Sequence, residues 1–478
     1  MSLAPLINGK TLRGAGREPA VPFRIALGDG RELIFRRLLR VLPGKRIVGD
    51  ADLNGRRVLA KLFVAEASHR HWLKERAGIE ALGVAGIATP ELIGAEILAE
   101  GGHALLTAYL DPAESLADVW ASVSADPEGD GQAIALLAPA LNLLAQMHRA
   151  GLVQDDLHLG NFLRSEGRLF VIDGDAVRAI SPSKALDTEQ RLGNLAILLA
   201  QLPPAWDSHQ AELLAAYAGG DVDCRLPPDH LQQAVGRVRD WRLKDFLGKT
   251  VRDCTLFSVS RTMTRFAACV RQTAAVLAPL LADPDKALAS GTLLKEGNTC
   301  TVGVASSGAG ECVIKRYNLK SAGHALSRFW RPSRAWHSWR EAHRLCFFGI
   351  PTPAPLALVE ERLGPFRRRA WLISAFCAGS SLQAHLHADR EPPAAEAKAI
   401  AALFETLCQL KISHGDLKAT NLLWHEGRIF MIDLDAMVQH RTAEAHARAW
   451  RRDRARLLRN WPESSVLHGW LNAHLPPP

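Results

Sequence analysis

The chain has 478 residues, which is too long for one ordinary hydrophobic core and predicts two or three domains. With 47% hydrophobic and 23% charged residues, the composition is that of a globular protein and excludes a disordered or fibrous one. The net charge of +8 predicts an anionic partner without distinguishing nucleic acid, a phosphorylated sugar or an anionic membrane face. The eight cysteines form no C-x-x-C pair, so neither a zinc site nor a disulfide framework is expected.

No segment has the pattern of a membrane anchor or signal. The N-terminal stretch MSLAPLINGKTLRG lacks an apolar core of signal-peptide length. The longest apolar region, AIALLAPALNLLAQM (133–147), is interrupted by Pro139, Asn142 and Gln146 and is too short to span a bilayer. We therefore expect a cytoplasmic protein.

In chain order, the first chemical signal is a lysine on a predicted strand followed by a charged helix. Lys61 lies in GRRVLAKLF, and Lys315 lies in the similar segment ECVIKRYN. A helix Glu would hold each lysine in place. Glu75 is the candidate in the first half, with Glu80 as a competitor, and Glu341 is the candidate in the second half.

Each half then carries an acid, an amide and a second acid in the same order. The stretches are QDDLHLGNFL followed by FVIDGDAV, and HGDLKATNLL followed by FMIDLDAM. In both halves the Asn follows the first Asp by five residues, and the second Asp follows the first by 17. The residues are Asp156, Asn161 and Asp173 in the first half, and Asp416, Asn421 and Asp433 in the second. The identical spacing indicates a duplicated domain of roughly two hundred residues.

These residue types have a coherent joint chemistry. A strand Lys is a point charge for the α- and β-phosphates of ATP, and the first Asp accepts or orients the proton of an attacking hydroxyl. The Asn and the second Asp are hard oxygen ligands suited to Mg²⁺, which bridges the phosphates. The sequence therefore predicts ATP and Mg²⁺ as cofactors.

This set resembles the protein-kinase signature, with three departures. The loop reads His-Gly-Asp or Gln-Asp-Asp, the metal motif reads Asp-Leu-Asp or Asp-Gly-Asp, and no Ala-Pro-Glu segment follows. The pattern is most similar to the lipopolysaccharide core kinase family, on stretches such as LKEGNTCTVGV, GIPTPAPLALVEER and HGDLKATNLL. The resemblance implies phosphorylation of a heptose or Kdo hydroxyl of the inner core.

The resemblance also implies an α+β fold with two tandem protein-kinase-like domains, each with a small β-rich N-lobe and a helical C-lobe. We place the first domain at 1–240, a basic helical connector at 241–288 and the second domain at 289–478. Two alternatives stay open. In the first alternative, the kinase phosphorylates a protein or another small molecule. In the second, one copy is a pseudokinase that serves as a scaffold.

Several stretches have weaker interpretations. Asp175 and Asp435, second in each Asp-x-Asp, are interpreted as caps of the next turn rather than metal ligands. Glycines in PGKRIVGDADLNG and KEGNTCTVGVASSGAG lie where a phosphate-covering hairpin belongs, but neither stretch matches G-x-G-x-x-G.

Because His414 supports its loop where the first half has Gln154, we expect the second copy to be catalytic.

Three basic stretches, 236–271, 327–344 and 448–461, interleave Arg with Trp or lie on predicted helices. Arg grips phosphate in a bidentate manner and Trp packs at membrane interfaces. We expect a lipopolysaccharide core or lipid-linked sugar acceptor and peripheral contact with the anionic inner face of the cytoplasmic membrane. No nucleic-acid recognition module is visible, so no nucleic acid is expected. The oligomeric state stays open.

Overall fold

The computed structural model describes residues 4–123, 130–181, 184–221, 225–297, 299–318, 332–364 and 366–477. Its contacts divide the chain into two compact units. The first unit comprises Met1–Leu202 and Trp206–Arg239, and the second comprises Pro203–Ala205 and Asp240–Pro478. Each unit contains a seven-stranded sheet and a helical part, so the predicted α+β class is confirmed.

The sheet of the first unit contains β1 (Leu6–Ile7), β2 (Phe23–Ala26), β3 (Glu32–Leu42), β4 (Arg46–Leu53), β5 (Arg56–Phe63), β6 (Leu92–Ile97) and β7 (His103–Ala108). Their order is β1-β2-β3-β4-β5-β7-β6. Helix α1 (Gly9–Gly14) precedes β2, and helix α2 (His69–Val84) follows β5. Val58, Ala60 and Leu62 alternate along β5 and are fully buried, which leaves Lys61 on the other face.

Helices form most of the remainder of the first unit: α3 (Leu116–Val123), α4 (Asp130–Arg149), α5 (Thr188–Leu199), α6 (Gln210–Ala218) and the start of α7 (Pro228–Lys249). Short strands accompany them, namely β8 (Glu114–Ser115), β9 (Leu152–Gln154), β10 (Phe162–Ser165), β11 (Arg168–Val171) and β12 (Val177–Ala179). Strand β10 pairs with β8 and β11, and β9 pairs with β12. One apolar cluster that includes Leu144, Phe162 and Tyr217 forms the core of this lobe.

The sheet of the second unit contains β13 (Phe257–Arg261), β14 (Arg265–Val270), β15 (Thr292–Lys295), β16 (Cys300–Ser307), β17 (Gly310–Tyr317), β18 (Pro355–Leu363) and β19 (Phe366–Ala375). Their order is β13-β14-β18-β19-β17-β16-β15. The helices of this lobe are α8 (Ala274–Ala282), α9 (Pro284–Ser290) and α10 (Arg334–Phe347). Strand β17, which carries Lys315, lies between β16 and β19, just as β5 lies between β4 and β7.

Residues 241–288, which the sequence led us to assign to a connector, supply β13, β14, α8 and most of α9 to the second unit. Strand β14 pairs with β18 in antiparallel register, from Arg265 opposite Glu361 to Cys269 opposite Ala357. The side chain of Phe266 on β14 is fully buried. Phe266 of this basic segment therefore belongs to the core of the second unit.

The helical lobe of the second unit contains α11 (Leu382–His385), α12 (Ala394–Gln409), α13 (Ala443–Leu458) and α14 (Val466–His474). Its short strands are β20 (Ser380–Ser381), β21 (Ile412–Ser413), β22 (Leu422–His425), β23 (Arg428–Met431) and β24 (Val438–Gln439). Strand β22 pairs with β20 and β23, and β21 pairs with β24, which repeats the pairing of the first unit. The two predicted copies thus share one topology around their motif residues.

Candidate active site

In the first unit, Lys61 is the centre of an ion cluster. Its Nζ is bonded to Glu75 Oε1 of α2 and lies 3.1 Å from Asp173 Oδ1. The backbone N–H of Gly174 also donates to Glu75 Oε1, at 3.2 Å. Burial alone lowers the pKa of Lys61, but the two carboxylates outweigh it and raise the pKa, so the ammonium stays charged. The structure thus brings together Lys61, Glu75 and Asp173 as predicted, whereas Glu80 pairs with Arg76.

Two glycines allow α2 to approach this cluster. A Cβ on Gly78 would lie 2.0 Å from the carbonyl oxygen of Gly174, and a Cβ on Gly174 would lie 2.4 Å from that of Glu75. Asp173 adopts a left-handed conformation, with φ 71° and ψ 71°, at the start of the turn Gly174–Ala176. The backbone contact between helix and turn is what places Glu75 within reach of Lys61.

In the second unit, Lys315 is bound by two carboxylates of the Asp-Leu-Asp motif. Its Nζ lies 2.6 Å from Asp433 Oδ1 and 2.9 Å from Asp435 Oδ1. The buried carboxylate of Asp435 also accepts hydrogen bonds from Tyr317 Oη at 2.6 Å, Ser338 Oγ at 2.7 Å and Arg334 Nη2 at 2.7 Å. Burial raises the pKa of Asp435, but Lys315, Tyr317 and Ser338 outweigh it and lower the pKa. Asp435 therefore anchors the lysine, whereas the sequence favoured a capping role.

Glu341 does not hold Lys315. Its carboxylate is bonded to Arg344, with Nε 2.7 Å from Oε2, on the same helix. Aligning GIATP (86–90) with GIPTP (349–353) places Ser338 at the position of Glu75 and Glu341 at the position of Gly78. The prediction for Glu341 is therefore wrong in this structure. A large residue replaces each contact glycine, since Leu434 also occupies the position of Gly174.

The loop that carries Asp416 in the second unit is fixed by a side chain of α13. The carboxylate of Asp453 accepts the backbone N–H groups of His414, at 2.6 Å, and Gly415, at 3.0 Å. The amide nitrogen of Asn421 donates to the carbonyl of Asp416 at 2.9 Å. His414 Nε2 lies 2.9 Å from the carbonyl oxygen of Ile432, the residue before Asp433. These bonds tie the first Asp, the Asn and the second Asp into one constellation.

The carboxylate of Asp416 lies between two cations. Arg456 Nη1 is 2.5 Å from Oδ1, and Lys418 Nζ is 3.1 Å from Oδ2. Burial alone raises the pKa of Asp416, but Lys418 and Arg456 outweigh it and hold the pKa below its ordinary value. Asp416 is partly exposed, so a bound acceptor has access to it.

The corresponding loop of the first unit has the same support from a different side chain. Gln154 Nε2 donates to the carbonyl of Ile172 at 3.2 Å, the bond that His414 makes in the second unit. The adjacent acid Asp155 is bound by Arg178, with Nη2 2.8 Å from Oδ1. Asp156 is exposed, and among the described residues its carboxylate has no hydrogen-bond or ion-pair partner. The substitution of Gln for His thus preserves the loop.

A buried network replaces Asp453 in the first unit. Asn194 Nδ2 donates to the carbonyl of Gln154 at 2.8 Å, and its Oδ1 lies 3.1 Å from His148 Nε2. His148 Nδ1 lies 2.8 Å from Tyr217 Oη. Because Asn194 offers an oxygen, Nε2 carries the proton and Nδ1 accepts from the tyrosine. Burial lowers the pKa of His148 to about 4, so the imidazole is neutral at pH 7.

A cavity of about 330 Å³ opens beside Lys315 in the second unit. Its lining includes Lys315, Asn421 and Asp433. The remaining lining is largely apolar and comes from both lobes of the unit, including Leu294, Val302, Val313, Leu372 and Leu423. A largely apolar cleft with a few charged groups suits a ligand with a flat ring and a phosphate tail.

The Asn and Asp pairs fit a divalent cation. In the first unit, the Oδ1 atom of Asn161 is buried without a hydrogen-bond partner among the described residues, which leaves a hard oxygen donor. In the second unit, the amide nitrogen of Asn421 is bonded to Asp416, so its oxygen is the atom left for a cation beside Asp433. Within the described ranges, no cluster of three or more His, Cys, Asp or Glu side chains forms a metal site alone. Phosphate oxygens and water would therefore complete the coordination.

The structure also locates the two glycine-containing stretches and part of the basic stretch 327–344. The predicted phosphate-covering hairpins are the turns between β3 and β4 and between β15 and β16. Part of the stretch 327–344 lies outside the described residues. In its described part, Trp339 is fully buried, and Trp336 packs on Phe266 at 4.9 Å between ring centroids. These two tryptophans are core residues.

A strand lysine facing a loop Asp, an Asn and a second Asp, between a β-rich and a helical lobe, defines a protein-kinase-like domain in each unit. The model of the lipopolysaccharide kinase (Kdo/WaaP) family matches residues 56–217 and 289–470, which together exceed half of the chain. The chain belongs to the lipopolysaccharide kinase (Kdo/WaaP) family. The predicted family is thereby confirmed.

A solved structure of WaaP in complex with acyl carrier protein is similar at 20% identity, over 44% of this chain and 86% of that chain, with a TM-score of 0.33. No curated protein matches the chain. Among the described residues, no helix combines the length and apolar character needed to cross a membrane.

Sequence reasoning missed the residues that support the motif side chains. Ser338, Asp453 and Arg456 belong to helices and act on loops far away in the chain. The one available signal was the alignment of the two Thr-Pro turns, which places a serine opposite Glu75. Asp435 was visible in the Asp-x-Asp pattern, but its partners were not.

Proposed function

We propose that the protein transfers the γ-phosphoryl group of ATP to a hydroxyl of heptose or Kdo in the inner core of lipopolysaccharide. Membership of the lipopolysaccharide kinase family supports the general activity. The observation that carries the proposal is the 2.6 Å pair between Lys315 and Asp433, both of which line a largely apolar cavity of about 330 Å³. The acceptor sugar is the finer part of the proposal.

In the second unit, the adenine ring would pack against the apolar side chains that line this cavity, including Leu423 of the helical lobe, and Lys315 would bind the phosphates. Asn421 and Asp433 would hold Mg²⁺, which would supply positive charge against the negative charge that develops during transfer. The chain's own contribution is position. Asp435 fixes the ammonium, and the bond from Asn421 to the carbonyl of Asp416 fixes the loop.

The transfer itself conserves one proton and one phosphoryl group. The oxygen of the acceptor hydroxyl forms a bond to the γ-phosphorus, and the bond between that phosphorus and the bridging oxygen of ADP breaks. The hydroxyl proton passes to the carboxylate of Asp416, and ADP leaves. This carboxylate is partly exposed and lies in the same loop as Asn421, so it is the base within reach of an acceptor.

The first unit is proposed to run the same reaction with Asp156 as the base. Lys61, Asn161 and Asp173 take the roles of Lys315, Asn421 and Asp433, and Glu75 provides the lysine anchor. Both copies retain every polar role in the set, which supports catalysis over a purely scaffolding copy. We also propose that the protein works at the inner face of the cytoplasmic membrane, where a lipid-linked acceptor is presented.

The proposal is tested with the purified full chain, ATP, Mg²⁺ and delipidated core oligosaccharide, followed by mass spectrometry of the sugar. We expect a mass gain of one or more phosphates that is lost when both Asp416 and Asp156 are replaced by Asn. Phosphorylation of a polypeptide or a free metabolite in place of the sugar would contradict the assigned acceptor. Titration with a non-hydrolysable ATP analogue measures nucleotide binding at the two sites. A copy whose site binds no analogue is a pseudokinase.

A further inference from the structure

Helix α13 carries a row of arginines that ends at Asp416. Arg448, Arg452 and Arg456 are spaced four residues apart, so they lie on one face of the helix, about 6 Å from each other along its axis. Arg448 and Arg452 are exposed and, with Arg451, line a hollow on the surface. At the end of the row, Arg456 reaches the carboxylate of Asp416.

The same helix fixes the distance between this row and the catalytic loop. Asp453, on the buried side of α13, holds the backbone N–H groups of His414 and Gly415. Arg456 also donates to the carbonyl of Gly415 at 3.2 Å. The helix that carries the arginine row is therefore bonded directly to the backbone of the loop that carries Asp416.

The ion pair at the end of the row is open to exchange. The side chain of Arg456 is 40% exposed and that of Asp416 is 31% exposed, so solvent screens their attraction. A guanidinium binds phosphate or carboxylate in a bidentate manner, and an acceptor anion can take over Arg456 while the acceptor hydroxyl reaches Asp416.

The first unit lacks this row. Asn194 and Asp453 hold equivalent loop residues, and aligning them places Glu189, Gly193 and Ile197 opposite Arg448, Arg452 and Arg456. An acid, a residue without a side chain and an apolar residue provide no anion-binding group. The two copies therefore differ in charge at the place where an acceptor approaches the base.

We propose that the arginine row Arg448–Arg452–Arg456 is the acceptor subsite of the second copy, and that it binds phosphate or carboxylate groups next to the attacked hydroxyl. The first copy, which has no such row, then binds its acceptor without contacts to anionic groups at this position. The two copies therefore phosphorylate two different acceptors or two different hydroxyls. This inference rests on the proposed function for its reaction, but its binding step is separately measurable.

The test measures transfer by the second copy alone, in an Asp156→Asn background, to delipidated core oligosaccharide. The oligosaccharide is used untreated, phosphatase-treated and carboxyl-reduced, which separates the two sources of negative charge. In Arg448→Gln/Arg452→Gln we expect the KM for untreated acceptor to rise about tenfold or more, because two charge-assisted contacts are lost. The Asp156→Asn chain with its arginine row intact should discriminate between the three acceptors, and the arginine variant should lose most of that discrimination.

The matched control is Arg36→Gln/Arg56→Gln, which removes two exposed arginines from the first unit. An acceptor KM that is the same in both double variants overturns the inference. Loss of binding to phosphatidylglycerol vesicles with an unchanged acceptor KM also overturns it, because the row is then a membrane contact.

If no variant transfers phosphate to the oligosaccharide, the proposed function fails, and calorimetry of oligosaccharide binding decides the subsite. Weaker binding by Arg448→Gln/Arg452→Gln than by the control supports the arginine row, and equal binding overturns it.

Discussion

Lys315 and Asp435 form an ion pair, with 2.9 Å between Nζ and Oδ1, that replaces the bond between Lys61 and Glu75 of the first unit. The anchor has moved from the helix to the turn after β23. In the first unit, the backbone contact between Gly78 and Gly174 brings a helix carboxylate to the lysine. In the second unit, the larger residues at both positions and the short side chain of Ser338 remove that option. Asp435, two residues after Asp433, provides the negative charge that holds Lys315.

Asp435→Asn should weaken ATP binding by the second copy. Lys315 loses one of its two carboxylates, and three further donors lose a charged acceptor, so we expect the KM for ATP to rise about tenfold in an Asp156→Asn background. The matched change Asp175→Asn, tested in an Asp416→Asn background, should alter the KM for ATP less than about twofold, because Glu75 still holds Lys61. Equal effects of the two changes would show that Asp435 is not the anchor.

Glu341→Gln provides a second control for this anchor. Because Glu341 is bonded to Arg344 and not to Lys315, we expect the variant to retain the ATP affinity of the wild-type chain. An affinity loss as large as that of Asp435→Asn would restore the sequence-based role of Glu341.

Gly174→Ala should destabilise the first unit and displace α2. The new Cβ would lie 2.4 Å from the carbonyl oxygen of Glu75, and the backbone has no flexible end that relieves the clash. We expect a loss of about 3 kcal/mol in the free energy of unfolding, together with weaker ATP binding by the first copy. Gly193→Ala is the control, since nothing lies within 4 Å of its added Cβ and it lies within α5. It should stabilise the unit by up to about 1 kcal/mol, and a similar loss in both variants would contradict the proposed contact.

The first unit should lose stability in mild acid through His148. Its pKa is lowered by burial to about 4, from 6.5 in the unfolded chain. Between these values the unfolded chain binds a proton that the folded chain does not, so stability present above pH 6.5 is lost as the pH falls toward 4. The loss amounts to about 3 kcal/mol over this window. Burial lowers the pKa of His343 in the second unit in the same direction, so the contribution of His148 must be isolated by mutation.

Urea unfolding of the wild-type chain and of His148→Gln at pH 7.5 and pH 5 measures this contribution. We expect the decrease between the two pH values to be smaller in the variant, which cannot take up the proton. A decrease of the same size in both proteins would mean that His148 does not titrate on unfolding.

The motif residues were predictable because their spacing is local and occurs twice. Lys61, Asp173 and Gly174 fall within segments whose strand and turn character is visible in the sequence. The anchors of these residues were not predictable, because each depends on a contact across many residues. Glu75 and Glu341 look alike as helix acids, and only the packing of α2 and α10 on their turns distinguishes them.

The same limit applies to the connector. The sequence 241–288 is basic, and we placed a connector there. Strand β14 pairs with β18, whose residues lie about ninety positions further along the chain, and no local pattern reveals that pairing. The burial of Phe266 is a consequence of this distant contact.

The last prediction decides which copy performs the chemistry. Asp416 is fixed by Asn421 through its own carbonyl and lies beside Arg456, whereas Asp156 is exposed and its carboxylate has no hydrogen-bond or ion-pair partner among the described residues. The carboxylate of the second copy is therefore the more firmly held, and we expect Asp416→Asn to reduce phosphoryl transfer by the second copy by roughly two orders of magnitude or more. Because Asn keeps the volume of Asp and only removes the proton acceptor, ATP affinity should stay nearly unchanged. Asp156→Asn is measured in the same assay and should remove the smaller share of transfer. Full transfer by Asp416→Asn with none by Asp156→Asn would reverse this ranking, and full transfer by both variants and by their combination would exclude these two acids as the catalytic bases.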